Sequence, residues 1–186
     1  MEKYGISSNN ITQDDLILVS RDIGAHGATI FTAREGMDMH SNLKSDCNSL
    51  YPQVKALIDA GVKITALRDA TRGGVSAVLN EWAKQSNICI EVEEEQIPVS
   101  DEVKGICEML GFEATNLANE GTFVLAISKN DAIKAIEILH KFEEAKNACI
   151  IGKVTQQYPQ KVILNSSWGT KRFLDTPTGE LLPRIC

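Results

Sequence analysis

The chain has 186 residues, of which 43% are hydrophobic and 24% are charged, and its formal net charge is −6. That size and composition allow one well-buried domain with appended segments. The negative charge, with no long basic block, argues against a nucleic-acid partner bound through phosphate contacts. No apolar run approaches the roughly 18 residues of a membrane helix, and the first residues form no secretory apolar region. We therefore expect no membrane partner and a cytoplasmic location.

Strand and helix patterns alternate along the chain. The predicted strands cover residues 16–20, 62–67, 88–92, 122–127, 149–154 and 161–164, the last as a hairpin partner of the strand before it. The predicted helices cover residues 28–34, 51–60, 75–85, 101–110 and 131–142. On the third helix Val78, Leu79 and Trp82 recur on one face, which should be buried. The alternation predicts an α+β fold, an α/β sandwich in which helices pack on a mixed sheet.

We divide the chain into three parts on the same pattern. Residues 1–15 are polar and rich in turn formers, and we assign them to an interdomain or N-terminal segment. Residues 16–174 are expected to form one domain. Residues 175–186 show no periodicity and are expected to form a flexible tail ending in Cys186.

Five cysteines occur at wide spacings with no Cys-x-x-Cys pair, so neither a disulfide framework nor a metal site is predicted. Four of them, Cys47, Cys89, Cys107 and Cys149, lie in or beside apolar runs and are expected to be small core residues. Cys186 is the last residue, and the extended segment from Pro177 can carry its thiol about 30 Å. This thiol is either a mobile attachment point, with Arg184 as a nearby cation, or part of a frayed end.

Three segments combine glycine with polar residues where a strand and a helix meet. The first, residues 24–27, includes His26, which could donate to an oxyanion or simply begin a helix after a tight turn. The second, residues 68–74, can attract phosphate or carboxylate at a helix N-terminus; an Arg68–Asp69 ion pair with a Thr71 cap explains the same residues without a ligand. The third, residues 119–121, carries Glu120, which by itself reads as a solvated turn residue.

Taken in order, these three segments and the terminal Pro-Arg-Ile-Cys at 183–186 resemble the HypE family of hydrogenase expression/formation proteins. The resemblance runs from about residue 16 to the last residue. HypE proteins belong to the aminoimidazole ribonucleotide synthetase (PurM)-like superfamily, whose members have two α/β domains. The chain resembles the second, a PurM-like C-terminal domain, and the resemblance implies a longer protein whose N-terminal half supplies most ligands of ATP and Mg2+ and the dimer contacts.

The resemblance implies a carbamoyl dehydratase that matures nickel–iron hydrogenase. In that family the terminal thiol, here Cys186, receives a carbamoyl group from HypF; ATP then drives dehydration to a thiocyanate, and the cyanide passes to iron on the HypC–HypD complex. The resemblance makes Glu120 the base and His26 a further catalytic residue. It assigns phosphate, substrate or tail binding to Asp69, Arg72, Gly73, Gly74, Asn119 and Arg184. A homodimer is expected for the full-length protein, and the fragment alone is expected to be inactive.

The chain departs from the family pattern at three positions, with Arg21, Ala25 and Ala70 where the family usually has Gly, Asp and Pro. Two other functions remain open. One is another ATP-dependent enzyme of the same superfamily. The other is a non-enzymatic docking module whose tail binds a partner through a mixed disulfide.

Overall fold

The computed structural model describes residues 5–34 and 43–176. In it the strands form a mixed sheet, and the helices cover both faces of that sheet. Within these residues the strands are β1 Leu16–Val19, β2 Ile64–Asp69, β3 Cys89–Glu93, β4 Phe123–Ile127, β5 Cys149–Thr155, β6 Lys161–Asn165 and β7 Lys171–Phe173. The helices are α1 Ala25–Arg34, α2 Tyr51–Asp59, α3 Gly74–Ser86, α4 Asp101–Leu110 and α5 Ala132–Leu139. The α+β sandwich with a mixed sheet is therefore confirmed.

The strand order across the sheet is β2-β4-β1-β5-β3-β6-β7. Every neighbouring pair is antiparallel except β3 and β6, which run parallel with Ile90 opposite Val162. The predicted hairpin between the strands at 149–154 and 161–164 is therefore wrong. The reason is that β5 already pairs with β1 on one side and β3 on the other, so β6 adds to the free edge of β3.

Alternate residues of the central strands point to opposite faces of the sheet, as the strand period of two requires. On β4, Val124 and Ala126 join the core cluster that includes α3, whereas Leu125 and Ile127 join the cluster that includes α2 and α5. The predicted buried face of α3 is confirmed by the burial of Val78, Leu79 and Trp82. A third, smaller cluster packs α1 against α4.

The ends of the domain also contribute to its core. Ile6 and Ile11, which precede β1, are only 9% and 5% exposed, and the Ser7 amide donates to the Thr65 carbonyl at 3.0 Å. After β7, which the sequence pattern did not indicate, Leu174 is buried and its amide donates to the Val162 carbonyl at 2.9 Å. The division at residues 15 and 174 stays a prediction, and most of the predicted tail, residues 177–186, lies outside the described residues.

Over the two described ranges, no helix has both the length and the apolar character needed to cross a membrane.

Gly152 lets β3 approach β5 closely, and its replacement tests this contact. A Cβ at residue 152 would lie 2.2 Å from the backbone oxygen of Glu91, which cannot move without disturbing the sheet. We expect Gly152→Ala to lower the free energy of unfolding by about 1–3 kcal/mol, as overpacking typically does.

Gly105→Ala is the matched control, because a Cβ there meets nothing within 4 Å and the residue lies inside α4. That change should stabilise the chain by about 0.5–1 kcal/mol. Urea unfolding of both variants checks the pair; equal stabilities would show that the β3–β5 contact has room to spare.

Candidate functional site

The three glycine segments meet at the edge of the sheet formed by the strand ends, where β1 and β2 finish and β4 starts. Strands β1 and β2 both pair antiparallel with β4, so both end at the edge where β4 begins. The first two segments follow β1 and β2, and the third precedes β4. Reciprocal bonds close this edge, since the Ser20 amide donates to the Phe123 carbonyl and the Phe123 amide donates to Ser20 Oγ, both at 3.0 Å.

Asn119 joins all three segments through its fully buried side chain. Its Oδ1 accepts from the Gly24 amide at 2.7 Å, and its Nδ2 donates to the carbonyls of Ala70 and Leu117, both at 3.0 Å. The side-chain amide is thus occupied by the protein itself. The structure gives Asn119 an architectural task, and its predicted part in ligand binding stays a prediction.

Glycines at this edge allow backbones to approach each other. A Cβ at Gly27 would lie 2.9 Å from the Ala118 nitrogen, and one at Gly74 would lie 2.4 Å from the Thr115 oxygen. Gly73 and Gly74 both have positive φ, 73° and 61°, where α3 begins. The space beside Gly74 is filled by residues 115–117, so packing within the domain already accounts for a glycine at that position.

Glu120 is exposed at the tip of the third segment, while its backbone is fixed from below. The Glu120 amide donates to Asp46 Oδ1 at 3.0 Å, the Gly121 amide donates to Asp46 Oδ2 at 3.0 Å, and Thr122 Oγ1 donates to the same oxygen at 2.8 Å. Asp46 itself is only 3% exposed. The carboxylate of Glu120 therefore extends toward solvent from a turn whose main chain is held in place.

Sequence reasoning missed Asp46. It lies in a polar stretch, residues 44–49, that carries no helix or strand period, and it is 74 positions away from Glu120. No local signal in one sequence links the two. Only the packing of residues 43–50 over the third segment brings them together.

His26 lies within the first turn of α1, because that helix begins at Ala25 rather than at the predicted residue 28. Its Nδ1 is 2.9 Å from Ser45 Oγ, and Ser45 precedes Asp46. The other ring nitrogen has no hydrogen bond to any residue in the described ranges. His26 and Glu120 are thus connected through two consecutive residues, and the catalytic role of His26 stays a prediction.

The second segment has three exposed charged residues, of which Asp69 and Arg72 have no side-chain partner among residues 5–34 and 43–176. The alternative interpretation of this segment is wrong in both parts. Arg68 pairs with Glu81 and not with Asp69. The N-cap of α3 is Gly73, with no side-chain cap from Thr71.

Each of the three departures from the family pattern has a local structural account. Arg21 Nη1 donates to the Asp46 carbonyl at 3.5 Å, so its side chain supports the segment that holds Glu120. The Ala70 amide donates to the Thr122 carbonyl at 3.0 Å, a bond that proline could not make. Ala25 is half-buried and packs against the apolar cluster between α1 and α4, where an aspartate would lose part of its hydration.

The cysteines of the domain differ in exposure. Cys89 and Cys107 are buried as predicted, and Cys149 is half-buried against the core. Cys47 is exposed on the segment beside Asp46, which corrects the expectation that it is a core residue. Burial, and then the charge of Asp22, raises the pKa of Cys149 to about 11, and burial followed by Glu108 raises the pKa of Cys107. Cys186 and Arg184 lie outside the described residues. Within the ranges that are described, no three His, Cys, Asp or Glu side chains cluster closely enough to hold a metal ion.

Comparison with known proteins identifies the class of domain. The family described as AIR synthase related protein, C-terminal domain, matches residues 12–165. The chain belongs to this family.

Its relatives within the family are HypE proteins. Carbamoyl dehydratase HypE of Escherichia coli is 44% identical over 180 residues, which cover 96% of this chain and 52% of that protein. A protein of Methanocaldococcus jannaschii assigned to hydrogenase expression and formation is 42% identical over 177 residues, or 95% of this chain and 52% of that protein. The chain thus spans about half the length of the curated relatives it matches.

Solved structures agree with this placement. The crystal structure of E. coli HypE matches with a TM-score of 0.91 at 42% identity, covering 97% of this chain and 55% of that one. A HypE–HypF complex matches at 0.88 and 38% identity, over 92% of this chain and 56% of that one. A HypE structure in complex with ATP matches at 0.91 and 32% identity, over 97% and 55%.

Thiol reactivity tests the contrast between Cys47 and Cys149. At about pH 8 a thiol with a pKa of about 11 is ionised in roughly one molecule in a thousand, and the thiolate is the nucleophile. We expect iodoacetamide to modify Cys47 in the native chain and to leave Cys149 unmodified, with labelling of Cys149 rising only as the pH approaches its pKa. Peptide mass mapping checks this, with the urea-unfolded chain as control. Equal labelling rates for the two thiols would contradict the burial described for Cys149.

Proposed function

We propose that this chain serves as the carboxyl-terminal domain of a HypE-type carbamoyl dehydratase, which supplies the cyanide ligand for nickel–iron hydrogenase maturation. Cys186 is the covalent carrier in this proposal, and Glu120 is the general base. The observation that carries the proposal is the placement of Glu120, whose carboxylate is exposed while its backbone is fixed by Asp46. The four motifs shared with HypE and the relatives at 42% and 44% identity support it.

The chemistry needs a thiol, a phosphoryl donor and a base. The Cys186 thiolate takes a carbamoyl group to form a thiocarbamate, and ATP transfers its γ-phosphoryl group to the amide oxygen, releasing ADP. Loss of one N–H proton to solvent leaves a phosphorylated imidate. Glu120 then removes the second N–H proton, the C–O bond breaks as phosphate leaves, and a C≡N bond remains on sulfur. The net change is loss of water from the carbamoyl group, with ATP converted to ADP and phosphate. Transfer of cyanide from sulfur to iron, with return of the Cys186 thiolate, takes up two electrons, which a reductant on the acceptor complex would supply.

The residues at the site fit ATP only in part. Arg72 presents an exposed guanidinium beside the start of α3, where phosphate oxygens would be attracted by charge and by the helix dipole. Gly74 does not add an open amide, because its N–H donates to the Thr71 carbonyl at 3.1 Å. We assign Gly73 to this candidate phosphate edge. Asp69 carries the same charge as phosphate, so we assign it to substrate or tail binding, and Arg184 to the approaching tail. Most ligands of ATP and Mg2+ would therefore come from an N-terminal half.

The proposed partners follow from the resemblance to HypE. We assign HypF as the carbamoyl donor, the HypC–HypD complex as the cyanide acceptor, and a homodimer as the full-length state. A solved HypE–HypF complex among the structural matches supports the first of these. The proposed location is the cytoplasm.

His26 would help to orient the tail or the phosphoryl group beside Glu120.

Replacing Glu120 by Gln in the full-length protein should separate the two steps. Glutamine keeps the size of the side chain but cannot accept the N–H proton, so carbamoyl loading of Cys186 should persist. Conversion to thiocyanate should fall by about 100- to 10,000-fold, the usual range for a general base. Mass spectrometry that resolves the water lost between the two adducts measures both steps.

Glu137→Gln is the matched control, since Glu137 is exposed on α5 and has no hydrogen-bond partner among the described residues. It should load and convert like the wild type. Wild-type conversion in Glu120→Gln would remove Glu120 as the base. A parallel loss of loading, dehydration and thermal stability would instead make it a structural residue.

The 186-residue chain alone should show no ATP-dependent dehydratase activity. It contains no phosphate-binding lysine loop, and its described residues hold no acidic metal cluster. ADP release by the purified chain carrying carbamoylated Cys186 checks this, with Cys186→Ala as the blank. Turnover above that blank would show that the catalytic machinery is complete within this domain.

A further inference from the structure

We propose that Asp46 is the positioning residue for Glu120. Its buried carboxylate fixes the 119–122 turn, so that the Glu120 carboxylate approaches the substrate nitrogen at a constant distance and angle. This inference rests on the proposed function of Glu120 as a base.

The contacts of Asp46 use both of its carboxylate oxygens. One oxygen accepts the Glu120 amide at 3.0 Å, and the other accepts the Gly121 amide at 3.0 Å and Thr122 Oγ1 at 2.8 Å. With Asp46 only 3% exposed, water cannot easily replace these bonds. Hydrogen bonds to an ionised acceptor are stronger than neutral ones, so three of them to consecutive residues hold the turn firmly.

The backbone contact beneath this turn is equally close. A Cβ at Gly121 would lie 1.8 Å from the Asp46 carbonyl oxygen, so only glycine allows these two backbone segments to touch there. The same carbonyl accepts from Arg21 Nη1 at 3.5 Å. Movement of Asp46 must therefore move the main chain of Glu120, while the exposed carboxylate of Glu120 remains free to meet the substrate.

The segment that carries Asp46 also reaches His26. Ser45 Oγ lies 2.9 Å from His26 Nδ1 and accepts the Cys47 amide at 3.1 Å. Residues 45 and 46 thus connect the start of α1 with the turn before β4. The arrangement places two proposed functional side chains on one support, which explains why a polar segment without regular structure is packed here so closely.

The test is Asp46→Asn in the full-length protein, assayed by single-turnover mass spectrometry of the Cys186 peptide with HypF, carbamoyl phosphate and ATP. Asparagine offers one acceptor oxygen, and its NH2 group would face a backbone N–H, so the turn must shift. We expect carbamoyl loading to persist and conversion to thiocyanate to fall by about 10- to 100-fold, the effect of a misplaced catalytic group.

A double-mutant cycle separates positioning from general damage. If Asp46 acts through Glu120, Asp46→Asn should cause no further loss in the Glu120→Gln background. Equal losses in both backgrounds would overturn the inference. Asp15→Asn is the matched control, because Asp15 is 6% exposed and caps the Thr12 amide at 3.0 Å before β1, away from the site; it should convert at the wild-type rate.

Thr122→Val keeps the inference testable if Asp46→Asn does not fold. It removes only the Oγ1–H donor with little change in shape, and it should give a smaller fall in conversion that also vanishes in the Glu120→Gln background. Conversion at the wild-type rate in Thr122→Val and Asp46→Asn, while the wild type makes thiocyanate, would refute the positioning role alone. A wild type that loads carbamoyl but never dehydrates it would refute the proposed function and this inference together.

Discussion

The hydrogen bonds of Asn119 are the constraint on which the site depends. One buried amide accepts from Gly24 and donates to Ala70 and Leu117, so three chain segments far apart in sequence share one partner. Each bond contributes about 1 kcal/mol net, but a buried donor left without its acceptor costs about 1–3 kcal/mol. The segments are therefore secured together, and the glycines among them make room for contacts that side chains would prevent.

This edge of the sheet combines a rigid support with exposed reactive groups. Glu120 and Arg72 are exposed, yet the backbone below each is tied into the domain by Asp46 or by the start of α3. The thiols Cys107 and Cys149 have raised pKa values, so neither competes as a nucleophile near neutral pH. A carrier thiol brought from elsewhere in the chain, as proposed for Cys186, would meet a prepared surface where Cys47 is the exposed thiol among the described residues.

Local patterns predicted the elements well because hydrophobic period and glycine punctuation are local properties. The buried face of α3 and the strand β4, which ends at Ile127, follow directly from these local patterns. The position of β6 beside β3 does not, because strand order depends on which edge remains free. The contacts of Asp46 could not be predicted for a related reason. Its partners are 74 to 76 positions away, and the residues around it carry no local pattern that indicates these contacts. That the three glycine segments meet could be seen only from the sheet topology. The proposed role of Glu120 could be inferred only from the resemblance to HypE.

The most direct measurement is the time course of the Cys186 peptide mass in the wild-type full-length protein, incubated with HypF and carbamoyl phosphate and then given ATP. We expect a carbamoyl adduct on Cys186 and its conversion to a cyano adduct once ATP is present, with one ADP formed for each cyano adduct. A carbamoyl adduct that ATP leaves unchanged, or an adduct on Cys47 instead of Cys186, would contradict the assignment of this domain to carbamoyl dehydration.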